Sequence, residues 1–290
     1  MNKGSKIICL GNIGIDVAVT PDGRNAHAAG TALRCSLGAA VFGVGLTPTA
    51  VIGGEPEYIE PLERLSGRGA DLSRIVSAPH SITFTTTYDT VGNITNFHID
   101  HESVMADTAT VCLSQPLDDA KMVVLCPLPF TALNELADRA HTAHAEVFMV
   151  LHYAQFTNTP PPDFLPLIAK VDWLVLNADE ARRITQLDDV DAAGALLSRT
   201  CRRGIFLTMA ERGATAWVAG DRVAHLPTLA PIVTNLLGAG DTFSGGVVAG
   251  LNLTDDPAVA LTYGLLAASL VVARPNHELL MAALPSTNDK

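Results

Sequence analysis

Asn235-Leu236-Leu237-Gly238-Ala239-Gly240-Asp241-Thr242-Phe243 lies in the last fifth of the chain. It joins a short apolar run containing Pro231, Ile232 and Val233 to a small-residue run, Thr242 to Leu251, that reads as a helix. The turn before that helix, Gly238-Ala239-Gly240, has almost no side chain. Bare backbone amides at a helix N-terminus form an anion site, because the unpaired N–H groups and the helix dipole both favour negative charge. Asp241 stands at the lip of that site. Its carboxylate would repel a bound anion, so its presence fits a group that takes a proton from, or orients, a hydroxyl attacking a phosphoryl group. The simpler reading of the same residues is a turn followed by an N-cap aspartate, worth about 1 kcal/mol of helix stability.

Working outward, 290 residues with 48% hydrophobic content suffice for one large α/β core. A net charge of −11 argues against a nucleic-acid or anionic-membrane surface, which needs a basic face. It leaves room for a nucleotide, since local amides and one or two cations hold a triphosphate. The five cysteines, Cys9, Cys35, Cys112, Cys126 and Cys201, are dispersed with no Cys-x-x-Cys pair. That pattern fits buried thiols in a reducing cytoplasm better than a disulfide framework or a zinc site. The apolar run Ile7 to Leu10 is too brief for a signal sequence, and no stretch of 18 uninterrupted apolar residues occurs. The expectation is a soluble cytoplasmic protein.

Ile7 to Gly11 reads as a buried strand ending in a glycine turn, Ala29 to Phe42 as a helix closed by Gly43, and Thr49 to Ile52 as a short strand. Ser81 to Asp89 and Asn93 to Ile99 are polar, Thr- and aromatic-bearing runs around Thr90-Val91-Gly92, which is hairpin chemistry. Strands and helices then alternate: Met122 to Cys126, Thr131 to Thr142, Val147 to Leu151, Trp173 to Leu176, Asp179 to Ile184, Ala192 to Arg202, Ile205 to Thr208. A second hairpin, Ala214 to Val218 with Arg222 to Leu226, precedes the helix after Asp241 and a long helix from Pro257 to about Ala273. Continuous apolar strands alternating with helices predict a parallel sheet covered on both faces. The polar hairpin does not belong to that core and reads as a small projecting sheet, with Ile15 to Thr20 as a candidate partner. Ligands of open α/β sheets lie at the carboxyl ends of the strands, where a covering element excludes water.

Asn177-Ala178-Asp179-Glu180 follows one of those strands. An amide and a carboxylate three apart at a strand-to-helix junction share one face of the first turn, suited to orienting a hydrated Mg²⁺ ion and a phosphate. The same spacing also makes an asparagine N-cap with a capping box. Gly11-Asn12-Ile13-Gly14-Ile15-Asp16 lacks the third glycine and the following helix of a dinucleotide fingerprint. Asp16 reads either as an acceptor of vicinal hydroxyls or as an Asx-turn residue. His98 and His101 have no third ligand near in sequence and read as surface histidines. No Gly-x-Ser-x-Gly elbow supports a serine hydrolase.

Gly238-Ala239-Gly240-Asp241-Thr242-Phe243, followed by a glycine pair and an apolar helix, closely resembles the C-terminal signature of the ribokinase-like (PfkB-type) carbohydrate kinases. Asn177-x-x-Glu180 resembles the family's second signature. Thr208-Met209-Ala210-Glu211-Arg212-Gly213 resembles its Thr-x-Gly-x-x-Gly nucleotide loop, with Ala210 replacing the middle glycine. The resemblance spans essentially the whole chain. It implies a ribokinase-like α/β fold, a mostly parallel central sheet flanked by helices with a small β-sheet lid. It further implies one domain over 1–290 with lid segments at about 12–30 and 81–100.

By the same resemblance Asp241 is the catalytic base and the amides of Gly238, Ala239 and Gly240 form the anion hole. Asn177 and Glu180 serve Mg²⁺, while Thr208, Glu211 and Gly213 join Gly238 and Gly240 in holding ATP. Asp16, Gly30, Arg34 and Asp241 face the acceptor. The acceptor expected is a sugar or polyol, with a nucleoside as the same-fold alternative and a catalytically weakened ligand-binding homologue as a different class. Pairing of exposed lid edges, as in several relatives, implies a homodimer.

Three departures bear on substrate. The family's Gly-Gly…Asn element is Ala29-Gly30-Thr31-Ala32-Leu33-Arg34, so an arginine replaces the asparagine that binds sugar hydroxyls. Arg34 offers donors only and a fixed charge, which suits an anionic or carbonyl-bearing substrate or an internal ion pair with Asp16. Asn235-Leu236-Leu237 replaces the usual Asp-Thr-Thr, whose aspartate helps bind a monovalent cation in potassium-activated members. Cys126-Pro127 stands where ribokinases carry a substrate-binding glutamate. Together these argue against ribose while leaving the transfer machinery mostly intact.

Overall fold

The computed structural model describes residues 5–91, 93–152, 155–156, 159–229, 237–273 and 278–284. The Pro231-Ile232-Val233 run and the Asn235-Leu236 pair lie outside these residues. Among these residues, thirteen strands form two sheets. The larger one contains β1 (Lys6–Leu10), β4 (Thr47–Ile52), β5 (Ile75–Ser77), β8 (Ala120–Leu125), β9 (Glu146–Val150), β10 (Trp173–Asn177), β11 (Gly204–Thr208), β12 (Ala214–Val218) and β13 (Asp221–Leu226). Its order is β13-β12-β11-β10-β9-β8-β1-β4-β5, parallel from β11 to β5 and antiparallel at β11–β12 and β12–β13.

Strand residues alternate between two cores. Ile7, Cys9, Met122, Val124, Phe148, Trp173 and Phe206 face one. Ile8, Leu10, Val123, Leu125, Met149, Leu174 and Leu207 face the other. Both sets are buried, as a parallel sheet covered on both faces requires, and each such side chain contributes about 1.5–3 kcal/mol. Helices α1 (Thr31–Ala40), α2 (Ile59–Gly67), α8 (Ala239–Thr254), α9 (Pro257–Val272) and α10 (Glu278–Ala282) cover the first face. Helices α3 (Ser103–Ser114), α4 (Phe130–Thr142), α5 (Leu165–Ile168), α6 (Ala178–Thr185) and α7 (Val190–Thr200) cover the second.

The hairpin expected near residues 81–99 is β6 (Thr83–Tyr88) with β7 (Ile94–Asp100), and β2 (Gly14–Thr20) is its partner. The smaller sheet runs β3-β2-β6-β7, with β3 spanning Gly23–Ala29. Sequence pattern missed β3, whose GRNAHAA run has no β-branched residue, and it missed α2, β5 and α3. It also began the first helix too early. Gly30 is the N-cap at φ 97°, a left-handed conformation, and a Cβ there would lie 2.5 Å from the Asn12 carbonyl oxygen.

Helix α8 sits deep between α1 and α9 because glycines face both neighbours. A Cβ on Gly245 would stand 2.0 Å from the Cys35 carbonyl oxygen on α1, and one on Gly246 would stand 2.4 Å from the Tyr263 carbonyl oxygen on α9. The glycine pair therefore fixes how far α8 enters the core, and with it the position of its N-terminus.

Candidate active site

Helix α8 starts at Ala239, with Gly238 as N-cap at φ 77°, and no side chain caps it among the described residues. The amides of its first turn, at Ala239, Gly240 and Asp241, are thus left without intrahelical partners. Asp241 falls in this first turn, three residues past Gly238, in the turn that carries those donors. The N-cap reading of Asp241 is excluded, since Gly238 holds that position.

The Asp241 carboxyl meets three elements. The Thr31 hydroxyl, on the first residue of α1, is close enough to lower its pKa. Arg34, one turn later, brings Nη1 to 3.9 Å from Oδ2. His152, just after β9, is near enough to act on it electrostatically when protonated. Burial pushes the Asp241 carboxyl above its ordinary value, against the opposing pull of Arg34, His152 and the Thr31 hydroxyl, with Asp16 adding a smaller upward push. A pair at 4 Å is worth about 4 kcal/mol at an effective dielectric constant of 20. That the carboxyl still moves up means desolvation outweighs its cationic neighbour.

Arg34 links two carboxylates. Its Nη2 donates to Asp16 Oδ2 at 2.7 Å, so the internal ion pair expected from sequence is formed. Arg34 is 95% buried and its Nε has no acceptor among the described residues. It also packs on the α8 turn: a Cβ on Gly238 would come within 2.4 Å of Arg34 Cδ. His27 on β3 stands opposite Asp16 on β2, with Nε2 3.4 Å from Arg34 Nη2 and 4.0 Å from Asp16 Oδ2. Burial first, and the Arg34 charge second, lower the His27 pKa; burial likewise lowers that of His152, so both rings are neutral at neutral pH.

A second group assembles at the adjoining strand ends. Asn177 ends β10 and Thr208 ends β11, paired directly in register. Asn177 Oδ1 accepts from the Asp179 and Glu180 amides, each at 2.9 Å, and Glu180 Oε2 accepts from the Asn177 amide at 2.8 Å. The capping box is thus present, with Glu180 buried. Past Thr208 the chain makes a tight turn, Ala210–Arg212, closed by Met209 N–H to the Gly213 carbonyl at 2.8 Å. Gly213 is buried, while Glu211 points to solvent. Ala210 has φ 51°, the left-handed conformation for which the family's motif carries glycine.

Sequence reasoning named Asp241, Arg34, Asp16 and Gly30, and these are brought together, as are Asn177, Glu180 and Thr208. It missed Thr31, His27 and His152. Thr31 had a signal, its place next to Gly30 at a helix start; the two histidines had none, because they reach the site by strand pairing and sheet order. Cys126 lies in the core with Sγ 3.6 Å from Cys9 Sγ, and all five cysteines are buried and free. His98 is exposed beside Asp100, and His101 stacks on His80 with ring centroids 4.4 Å apart. Among the described residues no group of three His, Cys, Asp or Glu side chains is placed to hold a metal ion, and no helix is long and apolar enough to cross a membrane.

The profile of the pfkB family carbohydrate kinases matches residues 9–281. No curated protein matches the chain in sequence. Solved structures do match over nearly their whole length. The Burkholderia thailandensis nucleoside kinase in complex with inosine superposes with a TM-score of 0.78 at 18% identity, covering 97% of this chain and 94% of that one. The Arabidopsis thaliana ribokinase complexed with ribose and ATP gives 0.75 at 16% identity, covering 97% and 99%. The Sinorhizobium meliloti adenosine kinase gives 0.75 at 18% identity, covering 96% and 98%. At these identities the neighbours establish the ribokinase-like fold, and the match over 9–281 establishes the lineage: the chain belongs to the pfkB family of carbohydrate kinases.

Proposed function

We propose that this single-domain protein transfers the γ-phosphoryl group of ATP to a hydroxyl of a sugar or polyol, with Asp241 as the base. The observation that carries the reading is the Asp241 carboxyl in the first turn of α8, beside uncapped amides and raised in basicity by burial. The acceptor O–H gives its proton to Asp241 as its oxygen bonds to phosphorus, and the β–γ bridging oxygen leaves with ADP. The Gly238, Ala239 and Gly240 amides offset charge on the transferring group, where one such donor is worth a few kcal/mol. Neutral His27 and His152 add no competing charge.

Thr208 and Gly213 line the nucleotide, with Glu211 at the rim. Asn177 and Glu180 fit a hydrated Mg²⁺ carried by the phosphates: their oxygens already hold helix amides, and no cage of ligands surrounds them among the described residues. Bound there, the ion neutralises phosphate charge. Asp16 and Arg34 together recognise the acceptor. Because Arg34 already satisfies Asp16, the acceptor end differs from one built only of hydroxyl-binding acids and amides. The five free buried thiols suit a cytoplasmic enzyme.

The deciding experiment is Asp241→Asn. Turnover falls by orders of magnitude while ATP affinity stays nearly intact; near-normal turnover would falsify the base assignment. Two of the similar structures are nucleoside kinases, which favours a nucleoside as the second acceptor class. A coupled ATP-consumption screen over sugars, polyols and nucleosides separates the two. Ligand-stabilised melting with no ADP formed from any acceptor would instead mark a weakened homologue, the reading that the Arg34 ion pair favours.

A further inference from the structure

Away from Asp241, a cavity of about 510 Å³ opens at the amino ends of the parallel strands. It is lined by Trp173 at the start of β10, Arg199 in the last turn of α7, Arg202 and Arg203 in the α7–β11 connection, Val218 at the end of β12, and Pro257 at the start of α9. Asp241 opens α8 and Pro257 follows its end at Thr254, so at about 1.5 Å per helical residue the two ends lie roughly 20 Å apart. The cavity therefore shares no residue with the catalytic cluster.

Its lining holds three arginines and no acid, in a chain of net charge −11 with only 19 lysines and arginines. Acids stand behind the arginines and hold them in place. Arg203 Nη1 reaches Glu146 Oε1 at 3.2 Å, its Nη2 reaches Asp255 Oδ1 at 2.6 Å, and its guanidinium lies 4.7 Å over the Trp173 ring. Arg202 meets Asp172 Oδ1 through Nε alone at 3.2 Å, which leaves both terminal nitrogens without partners among the described residues. Arg199 has no hydrogen-bond or ion-pair partner at all among those residues. The Trp173 ring N–H is also buried without an acceptor among the described residues. Arginine presents five donors in a rigid fork matched to phosphoryl oxygens, so the Arg199 fork and the terminal nitrogens of Arg202, beside the acid-held Arg203, offer a phosphoryl-bearing anion several charge-assisted donors. The volume falls within the range of small-molecule sites.

We propose that this cavity is a second ligand site, one that takes a compact anion bearing phosphoryl groups. The assignment stands on the arginine geometry and does not depend on the kinase reading. Trp173 and Trp217 are the only tryptophans, so a Trp217→Phe protein reports the cavity by Trp173 fluorescence. Inorganic pyrophosphate, without Mg²⁺ and at constant ionic strength, is the probe. The expected result is a saturable Trp173 signal that persists in Asp241→Asn and weakens roughly tenfold or more in Arg199→Glu, as loss of a charge-assisted contact predicts. Arg199 is exposed and unpaired, so Arg199→Glu should keep the parent melting temperature; Arg202→Gln gives an independent reading should it not fold. No saturable signal at millimolar pyrophosphate, equal affinity in both arginine variants, or equal affinity for citrate would each overturn the proposal.

Discussion

At the scale of single residues, Asp241 sets activity against stability. Its carboxyl is raised above the ordinary value of 3.8, so the folded protein binds its proton more tightly than the unfolded chain does. Such a group contributes stability below pH 3.8 and loses that contribution as pH rises through the folded pKa. At neutral pH the buried charge is therefore a net cost, and Asp241→Asn should melt higher than the parent. The gap should close as pH falls toward 3.8, which a pair of thermal melts across that window would measure. The same carboxyl must be ionised to act as a base, so kcat/KM should fall as pH drops through its raised pKa. Arg34 pulls that pKa down. Arg34→Gln should accordingly move the acid limb of the pH–rate profile to higher pH; a limb that stays put or moves down would separate Arg34 from the base. The Arg34 pair with Asp16 was legible in the sequence, but its reach to Asp241 was not, because α8 is distant in the chain from α1 and β2.

At the scale of elements, the turn after β11 and the packing of α8 carry the clearest consequences. Ala210 occupies a left-handed conformation that costs an alanine about 1 kcal/mol more than a glycine. Ala210→Gly should recover part of this despite the greater freedom glycine gives the unfolded chain. The expected gain is a rise in melting temperature of up to about 2–4 °C with the Thr208 loop unchanged. Gly245→Ala should do the reverse. A Cβ 2.0 Å from the Cys35 carbonyl forces α8 away from α1, and overpacking of this kind costs about 1–3 kcal/mol. Because the helix carries Asp241, turnover should fall along with the melting temperature. The glycine pair was visible in the sequence as part of a motif; that its absent side chains admit α1 and α9 was not, since the contact partners belong to other elements.

At the scale of the whole molecule, the strand order β9-β10-β11 sets the His152, Asn177 and Thr208 ends side by side, with the smaller sheet supplying Asp16 and His27. The smaller sheet ends in β7, where Phe97 is 56% exposed. We propose that two copies pair through this sheet, and sedimentation velocity should then show a dimer that Phe97→Asp converts to monomer. The sequence alone determined the buried strands, the turn at Gly238 to Asp241, the strand-end pair Asn177 and Glu180, and the separate polar hairpin. Each rests on local chemistry: apolar periodicity, turn-forming glycines, and amide and acid spacing within one helical turn. Tertiary structure decided the rest. It turned Arg34 into a bridge between two acids, brought in Thr31, His27 and His152, and gathered three arginines around Trp173. Those outcomes depend on which strands become neighbours and how closely helices approach, and on the desolvation that follows, none of which is written in any one segment.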